Sequence, residues 1–222
     1  IISFLACAKN GSIWSSASPD FGIQGVVDRS SQIEPKILIT CDYYFYNGKK
    51  INILDKVENI LKKIPSIKQV IVFSYEPQKS LILKKEYFNF YELISKSEID
   101  QLFEKFEFNH PIYILYSSGT TGVPKCITHG AGNVLIEHNK EHLLHGNVKP
   151  GDRLFYYTTT GWMMWNWLVG SLAVKASVYI YDGSPTYPDI DVLINYCDKK
   201  RILFFAFIPN FITIFRIKIF SA

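Results

Sequence analysis

The residues best suited to chemistry form a short run of hydroxyls and glycines, Ser117–Cys126 (SSGTTGVPKC). The run follows the apolar stretch Pro111–Tyr116, which predicts a buried strand. Glycines let the backbone turn so that successive N–H groups face one anion, and serine and threonine hydroxyls add further donors. Lys125 supplies a positive charge for a phosphate oxygen, and Pro124 stiffens the turn before it. The run therefore predicts a loop that binds a polyphosphate.

The spacing separates this loop from the Walker loop. The Walker pattern G-x-x-x-x-G-K-[ST] requires lysine directly after its second glycine. Here Gly119 and Gly122 are too close together, and two residues separate Gly122 from Lys125. The alternative is a polar surface turn without a ligand. We favour phosphate binding, because the hydroxyls, glycines and lysine form one continuous pattern that directly follows a predicted apolar strand.

The loop resembles the phosphate-binding loop of the adenylate-forming superfamily, which includes acyl-CoA synthetases, luciferases and peptide-synthetase adenylation domains. A second segment, Tyr156–Trp167 (YYTTTGWMMWNW), is by its residues alone typical of a core or a pocket wall. With it, the resemblance narrows to the acetoacetyl-CoA synthetases and runs from about Ile1 to about Lys199. The other similar segments are His129-Gly130, Glu137-His138, Lys149–Arg153, Tyr181–Pro185, Ser15–Gly22 and Gln32–Lys36.

The resemblance implies a cytoplasmic ligase that works in two steps. ATP and acetoacetate give acetoacetyl-adenylate and pyrophosphate, and coenzyme A then displaces AMP to leave the thioester. Magnesium, a hard cation, is expected to bridge ATP oxygens. The residues expected to hold the β- and γ-phosphates are Ser117, Ser118, Gly119, Thr120, Thr121, Gly122 and Lys125. An acetyl- or propionyl-CoA synthetase is the alternative on substrate, and a non-catalytic remnant that at most binds nucleotide is the alternative to an enzyme.

The resemblance also implies roles for residues outside the loop. Trp162 corresponds to the aromatic residue that gates the passage between the nucleotide and the thiol, and Met164 and Trp165 are candidates for the acyl pocket. Lys49 is a candidate for binding a coenzyme A phosphate, although a solvated surface lysine is the alternative. Tyr46 stands where acetyl-CoA synthetases have an arginine, which weakens that assignment. No residue of this chain is assigned a catalytic role, and no metal ligand is assigned.

Several segments of the family pattern are not found in this sequence. They are a tyrosine–glycine–threonine–glutamate segment, a ribose-binding aspartate, a hinge, and a small C-terminal domain with an adenylating lysine. We therefore interpret the sequence as a fragment that does not catalyse the reaction alone. Residues 1–201 are assigned to the AMP-binding large domain. Residues 202–222 depart from the pattern, and three explanations stay open: a membrane span, a buried strand pair, or a shifted reading frame.

The pattern of elements predicts an α/β fold with mostly parallel sheets flanked by helices. The strands are predicted at Lys36–Thr40, Gln69–Phe73, Ile112–Tyr116, Leu154–Tyr157 and Val178–Tyr181. The helices are predicted at Gly25–Ser31, Leu54–Lys63, Glu98–Phe106, Asn133–His145, Trp162–Ala173 and Ile190–Asp198. Function in such sheets lies at the carboxyl ends of strands, where Ser117 and Thr158 fall.

Composition excludes several other classes of partner. The net charge of +4 comes from scattered lysines and only four arginines, so no basic face for nucleic acid is predicted. The run Trp162–Val174 is too short to span a membrane. The four cysteines show no metal or disulfide spacing, which favours a reducing compartment.

A histidine cluster at Glu137–His145 needs a separate interpretation. His138 and His142 are four residues apart, as zinc ligands on a helix can be. The zincin order H-E-x-x-H is not met, because Glu137 precedes His138 and Asn139 follows it. We predict a solvated helix face rather than a zinc site or an interaction surface.

Overall fold

The computed structural model describes residues 1–76, 83–97, 103–117 and 122–207 of the 222-residue chain. The chain divides into two compact units. The first comprises Ile1–Ser18, Glu104–Leu115 and the chain from Thr128 onward. The second comprises Pro19–Phe103 and Tyr116–Ile127. The phosphate-loop residues therefore belong to the second unit, whereas the tryptophan-rich segment belongs to the first.

The second unit is built on a parallel three-stranded sheet, in the order β1-β4-β5. An antiparallel hairpin of β2 and β3 lies between β1 and α3 in the sequence. The element bounds are β1 Ile37–Cys41, β2 Tyr43–Tyr46, β3 Lys49–Asn52, β4 Gln69–Phe73, β5 Tyr87–Asn89, α2 Ile23–Ser30, α3 Leu54–Lys63 and α4 Phe90–Lys96.

The core of the second unit forms where α3 covers the sheet. Val57 and Ile60, one turn apart on α3, are both buried, and Val70 and Val72 on β4 point to one face of the sheet. Val57, Val70 and Val72 belong to one cluster with Tyr44 and Ile53. The apolar face of the helix, which has a 3.6-residue period, therefore packs against the apolar face of the strand, which has a two-residue period.

The first unit contains a second parallel sheet, in the order β10-β8-β9. Strands β6 and β7 form a separate pair, and their residues Tyr116–Ile127 are counted with the second unit. The helices are α1, α5, α6 and α7; a π-helical turn, Glu141–His145, follows α5, and a 3-10 turn, Ser171–Val174, follows α6. The bounds are α1 Ile2–Lys9, β6 Pro111–Ser117, β7 Lys125–Gly130, α5 Ala131–Lys140, β8 Arg153–Tyr157, α6 Met163–Gly170, β9 Ser177–Tyr179, α7 Val192–Lys200 and β10 Phe204–Phe207.

Most of the predicted elements are confirmed, and one helix is wrong. The α/β architecture with parallel sheets is as predicted, and α3 and β4 have the predicted bounds. The helix predicted over Glu98–Phe106 is absent at residues 103–106, and residues 98–102 lie outside the described chain. An unpredicted helix, α4, begins instead at Phe90, because the Asn89 side chain accepts hydrogen bonds from the backbone N–H groups of Tyr91 and Glu92.

The prediction for the histidine cluster is also wrong. His138 is 5% exposed and His142 is fully buried, so this side of α5 faces the interior rather than solvent. The cause is a close approach between helices: a Cβ on Gly170 would lie 2.1 Å from Nδ1 of His138. Only glycine at that position of α6 leaves room for the imidazole ring. In the described part of the chain, no group of three potential metal-ligating side chains is found.

We expect Gly170→Ala to destabilise the fold by about 1 to 2 kcal/mol. The added methyl group overlaps the buried His138 ring, a steric cost that outweighs the better helix propensity of alanine. Urea unfolding followed by circular dichroism measures the change. Gly25→Ala on α2 is the matched control, because a Cβ there meets only flexible side-chain atoms at 3.7 Å or more. Equal stability of the two variants would contradict the proposed close packing at Gly170.

The stretch that departs from the family pattern begins with regular structure. Phe204–Phe207 form β10, which pairs in parallel with β8 over Leu154–Tyr157. The assignment of a boundary at residue 201 stays a prediction, and residues 208–222 lie outside the described chain. Among the helices that the structure describes, none has the length and apolar character needed to cross a membrane.

Candidate functional site

The predicted phosphate loop connects two paired strands. Ser117 ends β6 and Lys125 begins β7, and these two strands are hydrogen-bonded neighbours. Ser118, Gly119, Thr120 and Thr121 lie outside the described residues. Because the connection leaves one strand and enters its neighbour, its two ends, Ser117 and Lys125, lie at the same end of the strand pair. This is the carboxyl end of β6, the position predicted for a binding site.

The described half of the loop has the backbone freedom that the sequence predicts. Gly122 has a φ of +103°, a conformation that side-chain-bearing residues rarely adopt. Gly122 and Lys125 are both exposed. Within residues 1–76, 83–97, 103–117 and 122–207, no carboxylate forms an ion pair with Lys125. The role of Lys125 in binding phosphate stays a prediction.

A glutamine distant in the sequence anchors the second half of the loop. The Gln32 side-chain amide donates one hydrogen bond to the carbonyl of Asp28 at 2.6 Å and another to the carbonyl of Pro124 at 2.8 Å. Pro124 directly precedes Lys125. Gln32, which lies just after α2, therefore anchors the backbone next to the lysine. Gln32 belongs to a segment similar to the family, but nothing in the sequence predicted this role.

The histidine further along β7, His129, is a weaker candidate for binding phosphate than Lys125. The His129 ring lies 4.9 Å from the ring of Tyr113. Burial lowers the pKa of His129 below its usual value of 6.5. Burial therefore favours the neutral form of this imidazole, which weakens its attraction for a phosphate.

The tryptophan-rich segment of the first unit has an exposed beginning and a buried continuation. Trp162 caps the N-terminus of α6 and its side chain is 56% exposed. Met163 is exposed and Met164 is half-buried. Trp165, by contrast, is buried in a core cluster, where its ring stacks on Trp14 at 6.4 Å and meets Phe4 edge-on at 5.7 Å.

These placements bear differently on the residues predicted for the gate and the acyl pocket. The exposed ring of Trp162 is in a position to contact a ligand, and Met164 retains partial access. Trp165 is enclosed by aromatic side chains of the same unit, which is the arrangement of a packing residue. The gate and pocket assignments stay predictions, and the structure offers Trp165 less support than Trp162.

The candidate coenzyme contact lies on a tight hairpin of the second unit. Asn47 and Gly48 both have positive φ angles, as the favoured two-residue hairpin turns require. Lys49 begins β3 directly after the turn and is exposed, with Tyr46 opposite it in the register. The hairpin thus presents Lys49 to solvent, which is compatible with both the coenzyme contact and the solvated surface lysine.

Comparison with known proteins identifies the family. A model of the AMP-binding enzymes matches residues 1–218. This chain belongs to the AMP-binding enzyme family. The match includes the residues from Ile202 to Lys218, where the sequence departs from the expected pattern.

Individual members of the family are similar over most of the chain. The chain is 49% identical over 212 residues to an acetoacetyl-CoA synthetase from Danio rerio, covering 92% of this chain and 32% of that protein. A malonamoyl-CoA synthetase from Penicillium aethiopicum is 43% identical, covering 84% of this chain and 27% of that protein. A solved acetoacetyl-CoA synthetase from Streptomyces lividans superposes with a TM-score of 0.89 at 36% identity, over 97% of this chain and 33% of that one. The chain thus spans about a third of the length of these relatives.

Proposed function

We propose that this chain supplies the phosphate-binding part of an AMP-forming acid–thiol ligase. The observation that supports the proposal most directly is the paired β6 and β7, with Ser117 ending one strand and the exposed cation Lys125 beginning the next. Family membership and the similarity to acetoacetyl-CoA synthetases point the same way. The reaction is assigned to the protein as a whole, because the chain spans about a third of its relatives.

The chemistry of adenylation explains why such a loop is needed. A carboxylate oxygen attacks the α-phosphorus of ATP, the bond to the β-phosphate oxygen breaks, and pyrophosphate leaves. The carboxylate and the triphosphate are both anions, so the reaction depends on holding them together and neutralising charge. Lys125 and the loop N–H groups would hold the β- and γ-phosphates and stabilise the departing pyrophosphate.

Magnesium would bind through the nucleotide rather than through a carboxylate cluster of this chain. The described ends of the loop offer the Ser117 hydroxyl and no acidic side chain. A hydroxyl and phosphate oxygens suit this hard cation, which commonly keeps several waters and few protein ligands. When bound, Mg²⁺ supplies charge neutralisation on the phosphates, and this chain contributes the Ser117–Lys125 loop that orients them.

In the second step, the thiol of coenzyme A attacks the acyl carbon, the thiol proton is lost, and AMP leaves. Trp162 is proposed to gate the approach of the thiol, and its 56% exposed ring on the first unit supports that role. Met164 and Trp165 are proposed to line the acyl pocket, and Lys49 to bind a coenzyme phosphate. The cytoplasm is the proposed compartment, because the four cysteines of the sequence show no disulfide or metal-binding spacing.

Acetoacetate is the proposed acid. The run Trp162–Trp167 supports this choice, because its large aromatic and methionine side chains differ from what is expected of ligases for acetate or propionate. The malonamoyl-CoA synthetase relative makes malonamate a second candidate, since that acid is also a substituted short carboxylate. If no acid supports adenylation, we would interpret the chain as a non-catalytic remnant that at most binds nucleotide.

We expect acetoacetate to support ATP–pyrophosphate exchange with a kcat/KM at least about tenfold above that of acetate, a difference of about 1.4 kcal/mol. The assay uses a chimera in which this chain replaces the matching third of the Streptomyces lividans enzyme. The remaining two thirds of the chimera come from that enzyme. The unmodified Streptomyces lividans enzyme is the control. Preference for acetate or malonamate would overturn the substrate, and no exchange with any acid would overturn the ligase.

A further inference from the structure

A short segment near the N-terminus fixes the backbone just before Trp162. The Ser16 hydroxyl donates a hydrogen bond to the carbonyl of Thr160 at 2.5 Å. The Thr160 hydroxyl returns one to the carbonyl of Ala17 at 3.3 Å. All of these residues lie in the first unit. We refer to Ser16, Ala17, Thr160 and Gly161 as the Ser16 clamp.

The clamp also holds Gly161 in close contact with the same segment. A Cβ on Gly161 would lie 3.2 Å from the backbone nitrogen of Ser18 and 3.4 Å from Cα of Ala17. These distances are tighter than ordinary carbon contacts, so the glycine allows the two backbones to approach. Two reciprocal hydrogen bonds and this contact therefore define where the chain enters Trp162.

The segment that makes the clamp is itself attached to β6. Trp14 donates its backbone N–H to the carbonyl of Ile112 at 3.0 Å and accepts from the N–H of Ile114 at 2.9 Å. The Ser15 hydroxyl donates to the carbonyl of Ile114 at 3.2 Å. Residues 14–18 thus contact β6 on one side and the Thr160 turn on the other. This segment connects Ile112 and Ile114 of β6 to the turn that precedes Trp162.

Trp162 is more exposed than the other three tryptophans, all of which the structure describes. It is 56% exposed, and among the described residues it has no aromatic stacking partner, unlike Trp14, Trp165 and Trp167. Its position therefore depends on its backbone. On one side that backbone begins α6, with the N–H of Trp165 bonded to the carbonyl of Trp162 at 3.1 Å. On the other side the N–H of Trp162 is bonded to the carbonyl of Thr159 at 3.1 Å, and the two residues between them, Thr160 and Gly161, are held by the Ser16 clamp.

We propose that Ser16 is a positioning residue for Trp162, acting through the carbonyl of Thr160. The inference rests on the proposed function for its catalytic consequence, because Trp162 is the proposed thiol gate. Loss of the Ser16 hydroxyl leaves the Thr160 carbonyl without this donor and frees the turn before Trp162. The thiol step should then suffer more than adenylation.

Fluorine NMR of the chain labelled with 5-fluorotryptophan tests the positioning directly. The chain has four tryptophans, and Trp162→Phe assigns the Trp162 resonance by its disappearance. We expect Ser16→Ala to shift or broaden that resonance while Trp14, Trp165 and Trp167 keep theirs. Ser15→Ala is the matched control, since it removes a side-chain hydrogen bond of the same segment to the carbonyl of Ile114 rather than to that of Thr160. An unchanged Trp162 resonance in Ser16→Ala, or the same change in Ser15→Ala, overturns the proposal.

Two further variants protect the test against simple unfolding. Ser16→Thr keeps a hydroxyl and should restore the Trp162 resonance. Gly161→Ala should move the same resonance by a different route, because its methyl group presses on Ala17 and Ser18. If Ser16→Ala disturbs all four tryptophans and Ser16→Thr does not restore them, the hydroxyl is a general packing group and the proposal fails.

The catalytic consequence is measured in the chimera described above. Ser16→Ala should raise the KM for coenzyme A about fivefold and leave acetoacetate-dependent pyrophosphate exchange within about twofold. Equal losses in both half-reactions would overturn the link to the thiol step. If the unmodified chimera shows no exchange at all, the proposed function fails, whereas the NMR result still decides whether Ser16 positions Trp162.

Discussion

Lys125→Ala should lower kcat/KM for ATP about 100-fold, with little change in the KM for the acid. Lys125 begins β7, is exposed, and forms no ion pair with the described carboxylates, so its charge is available to the nucleotide. A hydrogen bond between charged groups contributes about 1.5–3 kcal/mol, and a 100-fold loss corresponds to about 2.7 kcal/mol. The acid should be unaffected because the lysine is expected to contact phosphate only. Acetoacetate-dependent pyrophosphate exchange in the chimera, at varied ATP, gives the number.

Two control variants make this result specific. Lys62→Ala removes an exposed lysine from α3 of the same unit, so it changes the net charge equally and should leave the ATP dependence unchanged. Lys125→Arg keeps the charge and should recover part of the activity, although a guanidinium is larger and binds in a fixed fork. Unchanged ATP dependence in Lys125→Ala would remove the lysine from the site. An equal loss in Lys62→Ala would reduce the effect to general electrostatic attraction.

The sequence predicts those parts of this fold that depend on neighbouring residues. The apolar spacing of α3 and the β-branched run of β4 gave their bounds directly, because each pattern records which side faces the core. The helix α4 was missed because its start is determined by a capping bond from Asn89 rather than by an apolar period. The phosphate loop could be proposed from the sequence because its hydroxyls, glycines and lysine lie close together along the chain.

The parts that escaped prediction depend on contacts between distant residues. Ser16 and Thr160 are 144 positions apart, and Gln32 and Pro124 are 92 positions apart. No local pattern marks either pair, since serine and glutamine are common in loops. His138 looked solvated for the same reason: its burial depends on Gly170 in another helix. A glycine inside the apolar run of α6 was the one available signal of close helix packing.

The buried histidines give the largest stability effect that we expect in the first unit. Burial, together with the nearby charges of His142 and His129, lowers the pKa of His138 to about 4, although Glu141 opposes the shift. The rings of His138 and His142 lie 6.3 Å apart, and Glu137 approaches Nε2 of His138 at 3.7 Å. Burial lowers the pKa of His142 as well. Both side chains are therefore neutral in the folded chain at pH 7.

Acidification should destabilise the fold well before carboxylates are protonated. The unfolded chain binds a proton at His138 near pH 6.5, whereas the folded chain does so only near pH 4. Between these values the unfolded state holds more protons, so stability is full above pH 6.5 and falls as the pH drops. From this one group we expect the free energy of unfolding to be about 2 kcal/mol lower at pH 5 than at pH 7.5.

Urea unfolding at pH 7.5 and pH 5 measures this loss, and two substitutions assign it. His138→Gln removes the titrating group, so the variant should be less stable at pH 7.5 yet lose less stability on acidification. His145→Gln is the matched control, because this side chain is 63% exposed and its removal should leave the pH dependence unchanged. A pH dependence in His138→Gln as steep as in the unmodified chain would show that other groups carry the effect. The pKa of His138 would then be similar in the folded and unfolded chains, and the imidazole would be a packing element of α5 with no influence on stability across this pH range.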